Sequence, residues 1–174
     1  MRAIIKYSRK GSAAYISHLD MQRAFARALR RAQLPVAFSE GFNPHIIMSF
    51  ASPLSVGYLT KGDYLEVKFK EEISTVYIME RLNAVLPEDI SVLYCGEIEE
   101  GAPKLMAVNS SALYEMEYDC DIEEKAQEFF AAKSFVATDR KGREIDVRPM
   151  VLEGSARGNK AIVLVCNSSA KAMN

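Results

Sequence analysis

Four arginines in the first third of the chain have the spacing that most clearly suggests chemistry. They recur at helical intervals, and at roughly 100° per residue they occupy about a 100° sector of one helix face. A guanidinium group donates two parallel hydrogen bonds to a phosphate, so the sector predicts an RNA or DNA phosphate surface. An acidic protein partner and an ordinary solvated helix face are the alternatives. The four residues are Arg23, Arg27, Arg30 and Arg31.

A short segment rich in turn-forming residues is the second signal. Residues 39–45 are Ser-Glu-Gly-Phe-Asn-Pro-His. The glycine permits a positive φ and the Asn-Pro pair favours a turn, so Phe42 would be presented on a loop beside His45. An exposed aromatic ring can stack on a base, and a histidine can act as an acid or base near neutral pH. The alternative is a structural bulge with Phe42 in the core.

We predict that these two features form one site. The chain returns from the helix through Leu34-Pro35 in one short step, so the loop should stay near the arginines of the helix's second half. Arg30 or Arg31 should then share a surface with the loop, beside a concave patch and largely free of carboxylate partners. His45 is the one candidate for catalysis. The predicted nucleic-acid or anion-binding residues are Arg23, Arg27, Arg30, Arg31, Phe42, Asn43 and His45.

Other reactive groups are too sparse for a catalytic or metal site. Ser17, His18 and Asp20 lie so close together that helix capping explains them better than a nucleophilic triad. The chain has two histidines, and its three cysteines contain no Cys-x-x-Cys pair. This composition argues against a zinc or iron–sulfur site and against a disulfide framework. We therefore expect no metal and no cofactor.

Positive charge is concentrated toward the N-terminus, although the whole chain has a net charge of −1. Residues 1–61 carry nine Lys or Arg against two acids, a net charge of +7. Residues 62–174 carry 13 basic and 21 acidic residues, a net charge of −8. The split suggests that one end meets an anion, unless the two parts neutralise each other within the fold. The basic residues that would extend the arginine surface are Arg2, Lys6, Arg9 and Lys10.

Neither a secretory signal nor a membrane span is indicated. The first residues are too highly charged for a signal peptide, and no stretch approaches the roughly 18 apolar residues of a membrane helix. The balance of 49% hydrophobic and 26% charged residues is that of an ordinary globular protein. We expect a cytoplasmic protein without a membrane partner.

The apolar pattern predicts an α+β fold that starts with a ferredoxin-like domain over residues 1–100. Its predicted β-α-β-β-α-β order is typical of that arrangement. Residues 99–109 are expected to be a linker. In the second helix, after Ser74, the residues expected to face inward are Val76, Met79, Leu82 and Leu86. The predicted elements are a strand at 2–7, a helix at 18–33, an interrupted strand over 36–39 and 46–51, a strand at 63–70, the helix after Ser74, and a strand at 90–98.

A second ferredoxin-like half is predicted over residues 110–174. Its pattern is β-α-β-β, with a helix after Asp121, and residues 154–158 are expected to be a flexible turn. We expect this half to lack its last helix and strand, with the chain truncated at its C-terminus. The predicted strands are 114–118, 135–138, 144–152 and 161–166.

Several uncommon sequence motifs in the chain resemble those of a known family. Residues 15–20 are Tyr-Ile-Ser-His-Leu-Asp, and residues 27–32 are Arg-Ala-Leu-Arg-Arg-Ala. Residues 34–45 are Leu-Pro-Val-Ala-Phe-Ser-Glu-Gly-Phe-Asn-Pro-His, and residues 49–57 are Ser-Phe-Ala-Ser-Pro-Leu-Ser-Val-Gly. With Ile-Asp-Val-Arg-Pro at 145–149, they resemble the radical-SAM-linked domain of unknown function.

The resemblance implies a bacterial protein encoded beside, or fused to, a radical SAM protein with a cobalamin-binding-like region. It implies no established activity. Domains of this family carry no cluster-binding cysteine triad, so the chain is not expected to be the radical enzyme itself. In one respect the chain departs from the family, because Ile46-Ile47 follows Pro44-His45 where a basic residue is usual.

These features favour a non-catalytic accessory module that binds RNA or presents a substrate to a radical SAM partner. Two alternatives stay open. Tandem ferredoxin-like halves with a basic face resemble the CRISPR repeat-processing endoribonucleases in architecture. In a metal-independent reaction of that kind, His45 would be the general base and Arg31 a phosphate clamp. The other alternative is a purely protein-binding adaptor.

Overall fold

Antiparallel sheets and helices make up the chain, which confirms the predicted α+β class. The computed structural model describes residues 1–166. The chain divides into two compact units, the first over Met1–Val108 and the second from Asn109 onward. No helix within the described range is long and apolar enough to cross a membrane.

The first unit has the β-α-β-β-α-β order and a four-stranded antiparallel sheet. The strands lie in the order β2-β3-β1-β4. Each helix therefore connects two strands that are separated by a third, the split connection of the ferredoxin-like arrangement. The elements are β1 (Arg2–Arg9), α1 (His18–Arg31), β2 (Met48–Phe50), β3 (Thr60–Lys68), α2 (Thr75–Asn83), β4 (Ile90–Ile98) and a short α3 (Leu105–Val108).

Strand and helix periodicity together build the core of this unit. Every second residue of β1 from Ala3 is buried, as expected of a strand with one face on a core. The apolar face of α1 packs there, and the rings of Tyr7 and Phe25 meet edge to face at 5.0 Å. The helix begins after Ser17, whose hydroxyl accepts a hydrogen bond from the Asp20 backbone N–H. The buried residues of α1 are Met21, Phe25, Ala28 and Leu29.

Tertiary contacts overturn several local predictions in the first unit. Helix α1 ends at Arg31, shortly before Gln33 adopts a positive φ of 56°. The predicted strand at 36–39 forms only isolated bridges. In α2 Ile78 is buried, whereas Val76 is 56% exposed.

The predicted linker at 99–109 is partly wrong, because α3 forms within it and packs on the first unit. Leu105 is buried, and its backbone N–H donates to Oε2 of Glu66 at 3.1 Å. Arg2 donates to the carbonyl oxygens of Ala102 and Pro103. These bonds hold the segment against the sheet.

The second unit repeats the first half of the same arrangement. Its main sheet is antiparallel in the order β5-β9-β8, and β6 and β7 form a separate hairpin after the helix. The buried residues of its core are Val151, Ala161, Val163 and Val165. The elements are β5 (Ser111–Glu117), α4 (Glu123–Ala131), β6 (Val136–Thr138), β7 (Glu144–Asp146), β8 (Val151–Arg157) and β9 (Lys160–Cys166).

Two predictions in the second unit are wrong. The expected strand at 144–152 is broken by a 3-10 turn over Arg148–Met150, where Pro149 cannot donate to a ladder. The expected turn at 154–158 is mostly strand, because β8 continues to Arg157 and reverses only at Gly158. The expectations about the C-terminal end concern residues beyond 166, outside the described residues.

Candidate nucleic-acid interface

The predicted arginine face exists on α1. Arg23, Arg27, Arg30 and Arg31 are all exposed, while the opposite face of the helix is buried. Arg30 and Arg31 occupy the last turn, where cations also complement the negative end of the helix dipole. Part of their positive charge therefore stabilises α1 itself.

The four arginines differ in their engagement. Nη1 of Arg23 lies 2.9 Å from Oδ1 of Asp20, an ion pair within the helix. Nη2 of Arg31 donates to the carbonyl oxygen of Val85 at 2.6 Å. Within residues 1–166, no carboxylate lies at ion-pair distance from Arg27, Arg30 or Arg31. No direct ion pair among the described residues therefore engages the guanidinium groups in this half of the helix.

Phe38 links the helix to the predicted loop. The guanidinium carbon of Arg30 lies 5.9 Å from the centre of the Phe38 ring, and Nζ of Lys70 lies 5.6 Å from the same centre. Phe38 bridges to Ile46 on the returning side of the loop. Arg30 therefore lies beside the base of the loop, and Lys70 adds a cation that the sequence pattern did not identify.

The base of the loop is closed by Ser39 and His45. The Ser39 backbone N–H donates to the His45 carbonyl oxygen at 2.8 Å, and the His45 backbone N–H donates to Oγ of Ser39 at 3.1 Å. Oγ of Ser39 is also 2.8 Å from Nδ1 of His45. One imidazole nitrogen of His45 is thus engaged in the loop closure, which gives the histidine a structural role.

The tip of the loop projects into solvent. Gly41 has a φ of 109°, in the range that favours glycine. Phe42 is fully exposed, and Asn43 and His45 are exposed as well. The alternative that buries Phe42 in the core is therefore wrong.

The pocket of the second unit is not at the predicted loop. It is open, has a volume of about 440 Å³ and is lined by Lys125, Glu128, Phe129 and Phe135. The surface at the loop is a protrusion, suited to a ligand larger than itself.

Three of the other basic residues, Arg2, Lys6 and Arg9, do not extend the arginine surface as predicted. Lys6 lies on the face of the sheet that points away from α1. Nε of Arg2 forms a 2.9 Å ion pair with Oε1 of Glu66. Arg9 is only 2% exposed, and its guanidinium donates to the carbonyl oxygens of Ile16, Ser55 and Tyr58. Strand alternation would have shown this, because Arg9 follows the inward-facing Tyr7 by two residues.

Arg9 belongs to a buried polar cluster that also includes Tyr7 and Asp63. The Tyr7 hydroxyl donates to Oδ2 of Asp63 at 3.0 Å. Burial raises the pKa of the Asp63 carboxyl, partly offset by hydrogen bonds from the Tyr64 N–H and the Tyr7 hydroxyl. Burial lowers the pKa of Arg9. Arg9 joins the chain segments around Ile16 and Ser55. These two segments carry two of the sequence motifs on which the family resemblance rests.

Ser17 caps α1, as predicted. The Ser17 hydroxyl lies at the start of α1, where it contacts Asp20, and the ring of His18 packs edge to face on Phe50 at 5.2 Å. Among the described residues, no three His, Cys, Asp or Glu side chains are grouped as a metal site.

Comparison with known proteins places the chain in a bacterial family. No curated protein matches it. One family model, described as "Uncharacterized protein conserved in bacteria (DUF2344)", matches residues 2–174, a span that includes both units. Because the match covers nearly the whole sequence, the chain belongs to this conserved bacterial family.

Proposed function

We propose that the chain is an accessory RNA-binding module of the bacterial cytoplasm. It holds RNA at the surface formed by the α1 arginines and the 39–45 loop, and presents a substrate to a radical SAM protein encoded beside it. The radical SAM partner is proposed from the motif resemblance, and the RNA from the geometry of the first unit.

One observation carries the RNA proposal. Arg27 and Arg30 are exposed cations without a carboxylate partner among residues 1–166, and they lie on the helix beside a loop that displays Phe42. Free guanidinium groups suit phosphate oxygens, and a protruding aromatic ring suits an unpaired base. Glu40 is the one acid in the loop, and the cations of α1 outnumber it, so the surface as a whole attracts a polyanion.

Binding of transfer or ribosomal RNA at two salt concentrations tests the proposal. Wild-type affinity should fall steeply with salt because phosphate contacts release counterions. Arg27→Glu with Arg30→Glu should weaken binding and reduce the slope of log affinity against log salt by about two. Arg140→Glu with Arg157→Glu is the matched control, since it changes the same charge at exposed positions of the second unit. Absence of binding at low salt would overturn the proposal.

The protein-binding alternative has a separate signature. If the chain is purely an adaptor, it should co-purify with the neighbouring radical SAM protein after nuclease treatment and bind no RNA alone. If it presents RNA, nuclease should remove RNA and the charge reversal on α1 should reduce RNA recovery. Cleavage of the RNA in EDTA that is abolished by His45→Ala would instead support the endoribonuclease alternative.

A further inference from the structure

A row of three side chains crosses the outer face of the first sheet. Lys6 of β1 is paired with Tyr64 of β3 on one side and with Tyr94 of β4 on the other. Their chain neighbours Ile5 and Leu65 are buried, so the row faces away from the core. The helices α1 and α2 pack on the inner face, which leaves this row on the other side of the sheet from the α1 arginines.

Two glycines let the row lie close to the backbone. A β-carbon at Gly96 would lie 2.5 Å from the hydroxyl oxygen of Tyr94, so the tyrosine covers the space that a side chain there would fill. A β-carbon at Gly62 would overlap the Lys6 side chain in the same way. Tyr94 therefore lies along its own strand while remaining 55% exposed. This arrangement directs one side of the ring toward the sheet and leaves the other side to solvent.

The charge at the row is positive. Nζ of Lys6 lies 5.8 Å from the centre of the Tyr64 ring, and no carboxylate within residues 1–166 is at ion-pair distance from it. The nearest acid in the same strand pairing, Glu66, is neutralised by Arg2. Glu66 also accepts a hydrogen bond from the Leu105 N–H, so α3 packs at that end of the face, whereas Tyr94 is 55% exposed and Tyr64 is half-buried.

We infer that Tyr64, Lys6 and Tyr94 form a stacking platform for unpaired bases of single-stranded RNA. Adjacent strands lie about 4.8 Å apart, so two strand spacings place the tyrosines about 10 Å from each other. Aromatic side chains on a four-stranded sheet can stack two or three bases of single-stranded RNA. The ammonium group of Lys6, which lies over β3 beside Gly62 and Tyr64, meets a phosphate next to the base that stacks on Tyr64.

The inference rests on the proposed function for its ligand, RNA, and adds what that RNA must be. Bases inside a duplex are already stacked and paired, so only an unpaired segment can occupy the platform. The α1 arginines contact phosphates, which single strands and duplexes both present. The platform therefore selects unpaired bases, whereas the α1 arginines accept any phosphate backbone. Mutations in one surface should leave binding at the other unchanged.

Two fluorescein-labelled probes test the inference on the full chain at low salt. One is a single-stranded oligoadenylate of about 12 nucleotides, within the usual site size for single-strand binding, and the other is an RNA duplex of the same length. Tyr64→Ala with Tyr94→Ala should weaken single-strand binding by about tenfold or more and leave duplex binding within about twofold. Tyr77→Ala is the control, because Tyr77 on α2 is 46% exposed, close to the 55% of Tyr94.

A second readout separates stacking from a structural effect. The chain has no tryptophan and eight tyrosines, so its tyrosine emission can be followed directly. Single-stranded RNA should quench part of this emission in the wild type. Tyr64→Phe with Tyr94→Phe should keep the affinity, since phenylalanine also stacks, but should lose part of the quenching.

Each outcome decides between the two proposals. If the wild type binds neither probe, both the proposed function and the platform are overturned. If it binds both probes and the double alanine variant is unchanged, the platform alone is overturned. If the alanine variant loses only the single strand, the platform is supported. If the wild type is a dimer that the alanine variant dissociates, the row is a self-association surface and the platform is overturned.

Discussion

The hydroxyl of Tyr7 donates a 3.0 Å hydrogen bond to Oδ2 of Asp63, on the core side of the first sheet. Arg9 is buried two residues further along β1, yet all of its hydrogen bonds go to carbonyl oxygens. A carboxylate and a guanidinium group are thus held inside the unit without a direct ion pair within residues 1–166. The guanidinium group of Arg9 holds the segments at Ile16, Ser55 and Tyr58 together, and it is too buried to contact a surface ligand.

Asp63→Asn should stabilise the protein at neutral pH. Burial raises the pKa of Asp63, so the folded chain holds this proton more tightly than the unfolded chain. Protonated Asp63 therefore favours the folded state. This contribution to the free energy of unfolding is complete below the unfolded pKa of about 3.9, and it is lost as pH rises through the folded pKa. The gain in free energy of unfolding from Asp63→Asn should therefore shrink as pH falls from about 7 to about 4.

Urea denaturation at several pH values measures this difference. Asp119→Asn, at an exposed position, is the control for the loss of one carboxylate. A variant Asp63→Asn that is less stable than the wild type at neutral pH would show that the ionised carboxylate contributes favourably to folding.

Arg9→Met should destabilise the first unit by about 2–4 kcal/mol. The substitution keeps the apolar stem but removes the guanidinium donor from the carbonyl oxygens of Ile16, Ser55 and Tyr58. Arg9→Lys should recover only part of the loss, because an ammonium group lacks the planar fork that reaches several acceptors. Guanidinium denaturation measures the effect, with Lys10→Met as the exposed neighbour that should change stability by less than about 0.5 kcal/mol.

Phe42→Ala should leave stability within about 0.5 kcal/mol of the wild type, because the side chain is fully exposed. It should nevertheless weaken RNA binding by about fivefold or more if the ring stacks on a base. Leu113→Ala, at a position 70% exposed in the second unit, should change neither quantity. Equal RNA affinity for wild type and Phe42→Ala would remove the loop tip from the interface.

Cys95 should resist thiol reagents in the folded protein. Burial raises its pKa to about 11, so at about pH 8 only about one molecule in a thousand carries the reactive thiolate at this residue. Cys120 is exposed and should react first. Peptide mapping after brief alkylation, with and without denaturant, measures the order. Modification of Cys95 at the rate of Cys120 under native conditions would contradict the burial.

Local periodicity was sufficient to predict helix α1 and which of its faces is buried. Apolar residues such as Phe25 recur at helical spacing and are buried, while Arg27 and Arg30 fall on the opposite face and are exposed. The cap at Ser17 and the bounds of β4 follow from the same kind of short-range signal. These features depend on residues close in sequence, whose geometry the 3.6-residue and two-residue periods determine.

Contacts between residues distant in sequence required the tertiary structure. Strand alternation shows that Lys6 faces outward, but only the register of β1 with β3 and β4 places Tyr64 and Tyr94 beside it. The approach of Lys70 to Phe38 likewise depends on how the loop returns to β3. Strand register is specified by the packing of a whole sheet face rather than by any one segment, so these neighbours emerge only when the chain is folded.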